Sequence, residues 1–123
     1  MGEHPNAAVV RAALEAMSKG DMQAAMEMAA DDVVWHYLGG SEPIRGKAAM
    51  AAMAGSTDFT IKATIHDIVA SDDHVVALVL ATATRGDRTL EYRTAEIFHL
   101  RDGRVTERWA FSDDTAAIVD FFA

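Results

Sequence analysis

The chain has 123 residues, of which 50% are hydrophobic and 24% charged, the balance of one folded globular domain. Its formal net charge of −8 repels phosphate backbones and anionic lipids, so neither nucleic acid nor a membrane surface is an expected partner. The absence of cysteine excludes disulfides and thiolate sites, and no apolar run approaches the roughly 20 residues of a membrane span. We therefore expect a single cytoplasmic domain over residues 1–123.

Two amphipathic helices are predicted at the N-terminal end. Apolar residues recur on one face over Ala7–Ser18, which is the spacing of a helix. Gly20 suits the position that ends this helix, and the side-chain oxygen of Asp21 suits the N-cap of the next. The second helix is expected to bury a stripe over Met22–Ala29.

A strand and a third helix follow. Residues 33–38 are dense in β-branched and aromatic side chains, which predicts the first strand. Residues 39–43 have turn chemistry, and the alanine- and methionine-rich segment Lys47–Ala54 predicts a short helix.

The second half of the chain is predicted to form a sheet. From Phe59 onward apolar and polar residues alternate, the period of a strand with one buried face. Further strands are predicted at 74–84, 89–100 and 104–112, and a last helix near Asp113 or Asp114 is expected to bury Ile118 and Phe122. The order ααβαββββα predicts an α+β domain with consecutive strands antiparallel and the helices covering one face.

Several motifs resemble one family. Gly20 and Asp21, followed by Ala-Asp-Asp-Val-Val-Trp-His at 30–36, resemble SnoaL-like proteins, as does Phe-His-Leu-Arg-Asp-Gly-Arg-Val-Thr-Glu at 98–107. Gly-Ser-Glu-Pro at 40–43 also resembles the ketosteroid isomerases of the same NTF2-like superfamily. The resemblance implies a cone-shaped (cystatin-like) α+β roll, in which a strongly curved antiparallel sheet wraps around N-terminal helices. The open end of such a cone admits a small hydrophobic molecule, and the outer sheet face commonly mediates a homodimer.

The resemblance does not carry over an intact catalytic set. The isomerase base falls on Tyr37, and the isomerase tyrosine of the first helix falls on Ala13. The aspartate of the cyclases and limonene-epoxide hydrolases falls on Ala110, and the arginine–aspartate pair of the hydrolases falls in the aliphatic segment 78–80. Only the acid position of the isomerases keeps a carboxyl group, as Glu96.

The isomerase register implies an interior with one polar centre. Glu96 is expected opposite Arg108, close enough for an ion pair that keeps Glu96 an anionic anchor or a weak base. Tyr37 and Glu96 are the candidate catalytic residues. The candidate substrate-binding residues are Trp35, Leu78, Leu80, Thr82, Thr94, Phe98, Arg108 and Ala110. A purely structural ion pair is the alternative for Glu96 and Arg108, and core packing is the alternative for the aromatic residues.

Neither a metal nor a cofactor is expected. No paired-histidine metal motif and no glycine-rich nucleotide loop occurs in the sequence. His36 is predicted to point away from the interior, whereas a one-residue slip in register would bring it inside in place of Tyr37.

Two functions stay open at this point. The first is a cofactor-independent isomerase, cyclase or lyase that acts on a hydrophobic polyketide-, steroid- or terpenoid-like substrate by acid–base chemistry. The second is a non-catalytic module of the same fold that binds a hydrophobic ligand or dimerises.

Overall fold

A computed structural model of the chain describes residues 3–38, 42–54 and 58–123, so that Gly39, Gly40 and Ser41 of the predicted turn lie outside the described residues. The helices are α1 (Pro5–Ser18), α2 (Met22–Glu27), α3 (Lys47–Ala54) and α4 (Thr115–Phe122). The strands are β1 (Ala29–Trp35), β2 (Ile44–Arg45), β3 (Thr60–Ala70), β4 (His74–Arg85), β5 (Arg88–Arg101) and β6 (Arg104–Phe111).

The six strands form one curved sheet in the order β2-β1-β6-β5-β4-β3, which confirms the predicted α+β fold. All neighbouring strands are antiparallel except β1 and β6, which run parallel. The predicted element order lacked β2, because two residues are too few to carry a periodic signal. The expectation that the whole sheet is antiparallel was wrong at β1, which pairs with a strand distant in sequence.

The N-terminal helices have the predicted caps, but α2 is shorter than predicted. The Asp21 carboxylate accepts a hydrogen bond from the Ala24 N–H at 3.1 Å. Ala29 belongs to β1 and not to the helix, because the Val105 N–H of β6 binds the Met28 carbonyl at 2.9 Å and the chain continues into the sheet. Parallel pairing thus ends the helix early.

Helix α4 begins as predicted and buries a different pair of residues. Asp114 caps it by accepting a hydrogen bond from the Ala117 N–H at 3.2 Å. Ile118 and Phe121 are buried, whereas Phe122 is half-buried and packs edge-on against Phe59. The pair that is buried is therefore three residues apart and not four.

The hydrophobic core lies between α1 and the inner face of the sheet. It is made of Val10, Leu14, Ala29, Val33, Met50, Val75, Ala77, Val79, Phe98, Leu100 and Val105. Between residues 3–38, 42–54 and 58–123, the four helices include none with the length and apolar character of a bilayer span.

The predicted interior face of β4 was wrong by one residue. Leu78 and Leu80 are 41% and 43% exposed, while Val79 between them is only 3% exposed. Leu78 pairs with Ala95 and Thr82 pairs with Glu91, so Leu78, Leu80 and Thr82 share the outer face. The reason is that β4 is apolar on both faces, and its sequence therefore did not define which face is buried.

Candidate functional site

A buried ion pair forms the polar centre of the inner face. Arg108 donates through Nε and Nη2 to Glu96 Oε1, at 3.1 and 2.8 Å. The hydroxyl of Thr94 donates to Glu96 Oε2 at 3.0 Å, and Arg108 Nη1 donates to the carbonyl of His36 at 3.0 Å. The side chains of Arg108 and Glu96 are only 12% and 9% exposed. The predicted ion pair is therefore confirmed.

The register that produces this pair differs from the predicted one. The residue opposite Arg108 is Phe98, and Glu96 lies opposite Ala110. A β-bulge between His99 and Leu100 shifts the pairing of β5 with β6. The guanidinium consequently reaches Glu96 diagonally, a distance that long side chains span across neighbouring strands.

An aromatic wall lies beside the ion pair. Arg108 Cζ lies 4.5 Å from the ring centre of Trp35, in a cation–π contact. Trp35 is the pairing partner of Arg108 on β1, and its ring meets Phe98 edge-on with centres 6.3 Å apart. Trp35 thus links the polar centre to the apolar core.

Tyr37 follows the end of β1 and lies within the electrostatic reach of Arg108. Burial raises the pKa of the Tyr37 phenol, and the charge of Arg108 opposes this rise without cancelling it. The phenol is therefore neutral near pH 7 and has an O–H group that is available to donate a hydrogen bond.

Sequence reasoning missed a second phenol, Tyr92. Burial, with a smaller contribution from the negative charge of Glu96, raises the pKa of Tyr92 to about 12, against the lowering effect of Arg108. Tyr92, Thr94 and Glu96 occupy alternate positions of β5 and so face the same side. That alternation was visible in the sequence and could have identified Tyr92.

Seven of the ten predicted site residues are grouped around the inner face or its rim. Thr94, Phe98 and Ala110 are buried there at 7%, 2% and 7% exposure. The predicted residues that come together are Trp35, Tyr37, Thr94, Glu96, Phe98, Arg108 and Ala110. Leu78, Leu80 and Thr82 do not join them. The roles of all ten in binding or catalysis stay predictions.

The opposite face of the sheet carries an imidazole–carboxylate pair. His36 Nε2 lies 2.7 Å from Glu107 Oε2, and the imidazole stacks on Trp109 with centres 5.0 Å apart and planes inclined by 6°. The prediction that His36 points outward is confirmed. The main chain of His36, by contrast, is held by Arg108: the His36 N–H donates to the Arg108 carbonyl at 2.9 Å.

Two grooves lie outside this polar centre. One, of about 560 Å³, lies on the outer sheet face. Its lining includes His66, Leu78, Leu80, Arg93, Phe111 and Asp113. The other, of about 800 Å³, lies between α2 and α3, where Met22, Met26 and Ala51 are lining residues. No cluster of three or more potential metal ligands occurs within residues 3–38, 42–54 and 58–123.

Comparison with known proteins gives relatives of the same fold. The uncharacterised protein Rv0034 of Mycobacterium tuberculosis (strain ATCC 25618 / H37Rv) is 27% identical, and the match covers 94% of each chain. Bal32a, from a soil-derived mobile gene cassette, is 29% identical with a TM-score of 0.86 and covers 97% of each chain. An LEH-like epoxide hydrolase of M. tuberculosis has a TM-score of 0.80, and the match covers 89% of this chain and 83% of that one; at 23% identity it shares the fold alone.

The family assignment comes from the sequence as well as from the fold. A sequence model of the SnoaL-like domain matches residues 10–108, which include most of α1, all of α2, and both Glu96 and Arg108. The match covers well over half of the chain. This protein therefore belongs to the SnoaL-like domain family.

Proposed function

We propose that this protein binds a small, largely apolar molecule against the inner face of its sheet and acts on it as a cofactor-independent isomerase, cyclase or lyase. The observation that carries the proposal is the Glu96–Arg108–Thr94 network, which places a carboxylate among apolar and aromatic residues. A buried charged group is expensive to maintain, so its presence in an apolar interior favours a functional role. Membership of the SnoaL-like family supports the same class of ligand.

The charges around the network favour a neutral ligand with a hydrogen-bonding oxygen. Glu96 and Arg108 compensate each other, so a charged ligand would gain no unpaired partner there. Tyr37 and Tyr92 are neutral phenols that can donate to a carbonyl oxygen. We infer that polyketide-, steroid- or terpenoid-like ketones are the substrate class.

The proposed chemistry is the transfer of a proton next to a carbonyl group. Glu96 removes a proton from the carbon beside the carbonyl, and the electron pair of that C–H bond moves to form an enolate. Tyr37 donates a hydrogen bond to the enolate oxygen, where the negative charge develops. Return of the proton from Glu96 to another carbon completes an isomerisation. Arg108 orients the carboxylate throughout.

A second function is favoured by a different observation. Glu96 accepts hydrogen bonds from Arg108 Nε, Arg108 Nη2 and Thr94, so its oxygens are already well occupied. A carboxylate whose oxygens already accept three hydrogen bonds has less capacity left to take a proton from a substrate, which suits non-catalytic binding of the same class of ligand. The two functions share the site and differ in whether a proton is transferred.

Exchange of hydrogen for deuterium separates the two functions. A steroid ketone, an aromatic polyketide and a monoterpene ketone are each incubated with the protein in D₂O, and proton NMR follows the positions beside the carbonyl. We expect exchange to be accelerated for at least one compound, and to be lost in Glu96→Gln while ligand binding persists. Arg93→Gln, on the outer face of the same strand, is the matched control and should exchange like the unmodified protein.

Each other outcome has a defined meaning. Binding without accelerated exchange supports the non-catalytic function and excludes proton transfer at these positions. Exchange that persists in Glu96→Gln contradicts the role of Glu96. Failure of all three compounds to bind contradicts both forms of the proposal.

We also propose that the protein forms a homodimer through its outer sheet face. Leu78, Leu80 and Phe111 are 41%, 43% and 56% exposed and line one groove, an unusual concentration of exposed apolar surface. Arg93 and Asp113 line the same groove, and neither forms an ion pair with another described residue, so a two-fold arrangement could pair one with the other.

Light scattering of the purified protein tests the dimer. We expect the mass of two chains, and the mass of one chain for Leu78→Glu. Val119→Glu, which places the same charge at a 47% exposed position on α4, is the control and should stay dimeric. A monomeric unmodified protein, or a Leu78→Glu variant that still dimerises, contradicts this assignment.

A cytoplasmic location completes the proposal. A chain without cysteine needs no oxidising compartment to fold. Fractionation of the producing cells, with the protein found in the cytoplasmic fraction, is the expected result, and recovery from an extracellular or membrane fraction would contradict it.

A further inference from the structure

His74 and His99 face each other across two strands on the outer side of the sheet. They are direct pairing partners of β4 and β5. The Leu100 N–H donates to the Asp73 carbonyl at 3.0 Å, which makes the His74–His99 position a non-hydrogen-bonded pair of the ladder. Side chains at such positions lie closest together, and the two imidazole centres are 4.4 Å apart.

The ring nitrogens of this pair bind no other residue in the described part of the chain, which sets the pair apart from His36 and His4. His36 binds Glu107 at 2.7 Å, and His4 lies 3.2 Å from Asp72. Within residues 3–38, 42–54 and 58–123, the imidazoles of His74 and His99 make ring contacts but no side-chain hydrogen bond. Both therefore keep a nitrogen lone pair for an external ligand.

We propose that His74 and His99 form a two-histidine site for a borderline divalent transition-metal ion, of which Zn²⁺ and Cu²⁺ are examples. Imidazole nitrogen is the ligand type that these ions share. A metal–nitrogen distance of about 2.0–2.1 Å to both rings requires only side-chain rotation from rings that already touch. No third metal-ligating side chain is grouped with them among the described residues, so water completes the coordination.

The charge around the site favours a cation. The chain carries a net charge of −8, and Glu107 is the pairing partner of His99 on β6. A negative surface raises the local concentration of divalent cations. The site lies on the face opposite the Glu96–Arg108 pair, so it is independent of the function proposed for the interior.

Calorimetric titration of the protein with Zn²⁺ tests the site. We expect one ion per chain. Mutation of a residue that only hydrogen-bonds to a metal ligand lowers metal affinity by about 10- to 100-fold. Loss of His74 or His99, which would bind the ion directly, should therefore weaken Zn²⁺ binding by at least about tenfold. His74→Gln and His99→Gln are the test variants. His66→Gln, an exposed histidine on the same face, and His4→Gln are controls that should leave the affinity unchanged.

A second measurement locates the ion. The ring centres of Trp109 and His99 are 4.7 Å apart, and the chain contains only two tryptophans. In a Trp35→Phe background, Cu²⁺ should quench the remaining fluorescence, and His99→Gln should abolish the quenching. Absence of Zn²⁺ binding, equal affinity in His74→Gln and the unmodified protein, or an equal loss in His66→Gln would each overturn the proposal.

Discussion

The two faces of β5 and β6 each hold groups that are unusual in their surroundings. On the inner face, Glu96 and Arg108 are buried and bonded to each other. On the outer face of the same strands, Phe111 is 56% exposed and Trp109 is only half-buried. Alternate residues of one strand therefore serve opposite environments. The inner face thus holds a charged pair that a hydrophobic core does not need, and the outer face holds apolar surface exposed to water; this contrast is the basis of the two proposals, ligand binding inside and dimerisation outside.

Removal of a large apolar side chain should give the largest difference in the free energy of unfolding between variants of the two faces. Phe98→Ala empties a position that is 2% exposed, and we expect a loss of about 3–5 kcal/mol in the free energy of unfolding. Phe111→Ala on the outer face should cost less than about 1 kcal/mol in the monomer. Urea unfolding of both variants measures the difference, and similar losses would contradict the assignment of faces.

Removal of one charge should have the next largest effect. Arg108→Met leaves Glu96 buried without its partner, and a loss of about 3 kcal/mol is expected. Arg93→Met, which breaks no ion pair with a described residue of its own chain, should change the stability of the monomer by less than about 0.5 kcal/mol. Combining Arg108→Met with Glu96→Gln should recover part of the loss, because no buried charge then remains unpaired. A double variant less stable than Arg108→Met would contradict this account.

The buried phenol of Tyr92 should make a smaller contribution to the free energy of unfolding, and this contribution should depend on pH. Its pKa is raised from 10.0 to about 12, so between these values the unfolded chain loses the proton while the folded chain keeps it. Stability that is complete below pH 10 should thus fall as the pH rises towards 12, by about 1–2 kcal/mol after allowance for solvent screening.

Tyr92→Phe should remove most of that fall and leave only the smaller part that comes from the raised pKa of Tyr37. Unfolding measurements from pH 9 to 12 compare the two proteins. Tyrosine absorbance gives an independent check, because Tyr37 and Tyr92 are the only tyrosines of the chain. An ordinary titration of both phenols near pH 10 would contradict the burial of Tyr92.

Secondary structure was predicted most accurately from the sequence where the signal was local, as in a regular alternation of apolar and polar residues or a helix cap. The alternation after Phe59 and the capping residues Asp21 and Asp114 gave the right elements, since these signals depend on near neighbours. The ion pair of Glu96 and Arg108 was also found, although through the wrong register, because long side chains tolerate a diagonal offset.

The failures had physical causes of another kind. The face of β4 was assigned wrongly because Leu78 and Val79 are equally apolar, and only packing against α1 and its neighbours decides between them. The bulge after His99 left no local trace in composition. Tyr92 was missed because the candidate residues were taken from the positions that the resemblance implies are catalytic, and Tyr92 is at none of those positions.

We propose that ligand recognition occurs at the inner face of the sheet and not in the outer groove. NMR titration with α-tetralone, a rigid apolar ketone, tests this through the side-chain signals of Glu96 and Tyr37 inside and of Phe111 and Arg93 outside. We expect saturable shifts of the Glu96 and Tyr37 signals that disappear in Arg108→Met, while the signals of Phe111 and Arg93 stay unchanged. Shifts confined to Phe111 and Arg93 would contradict it.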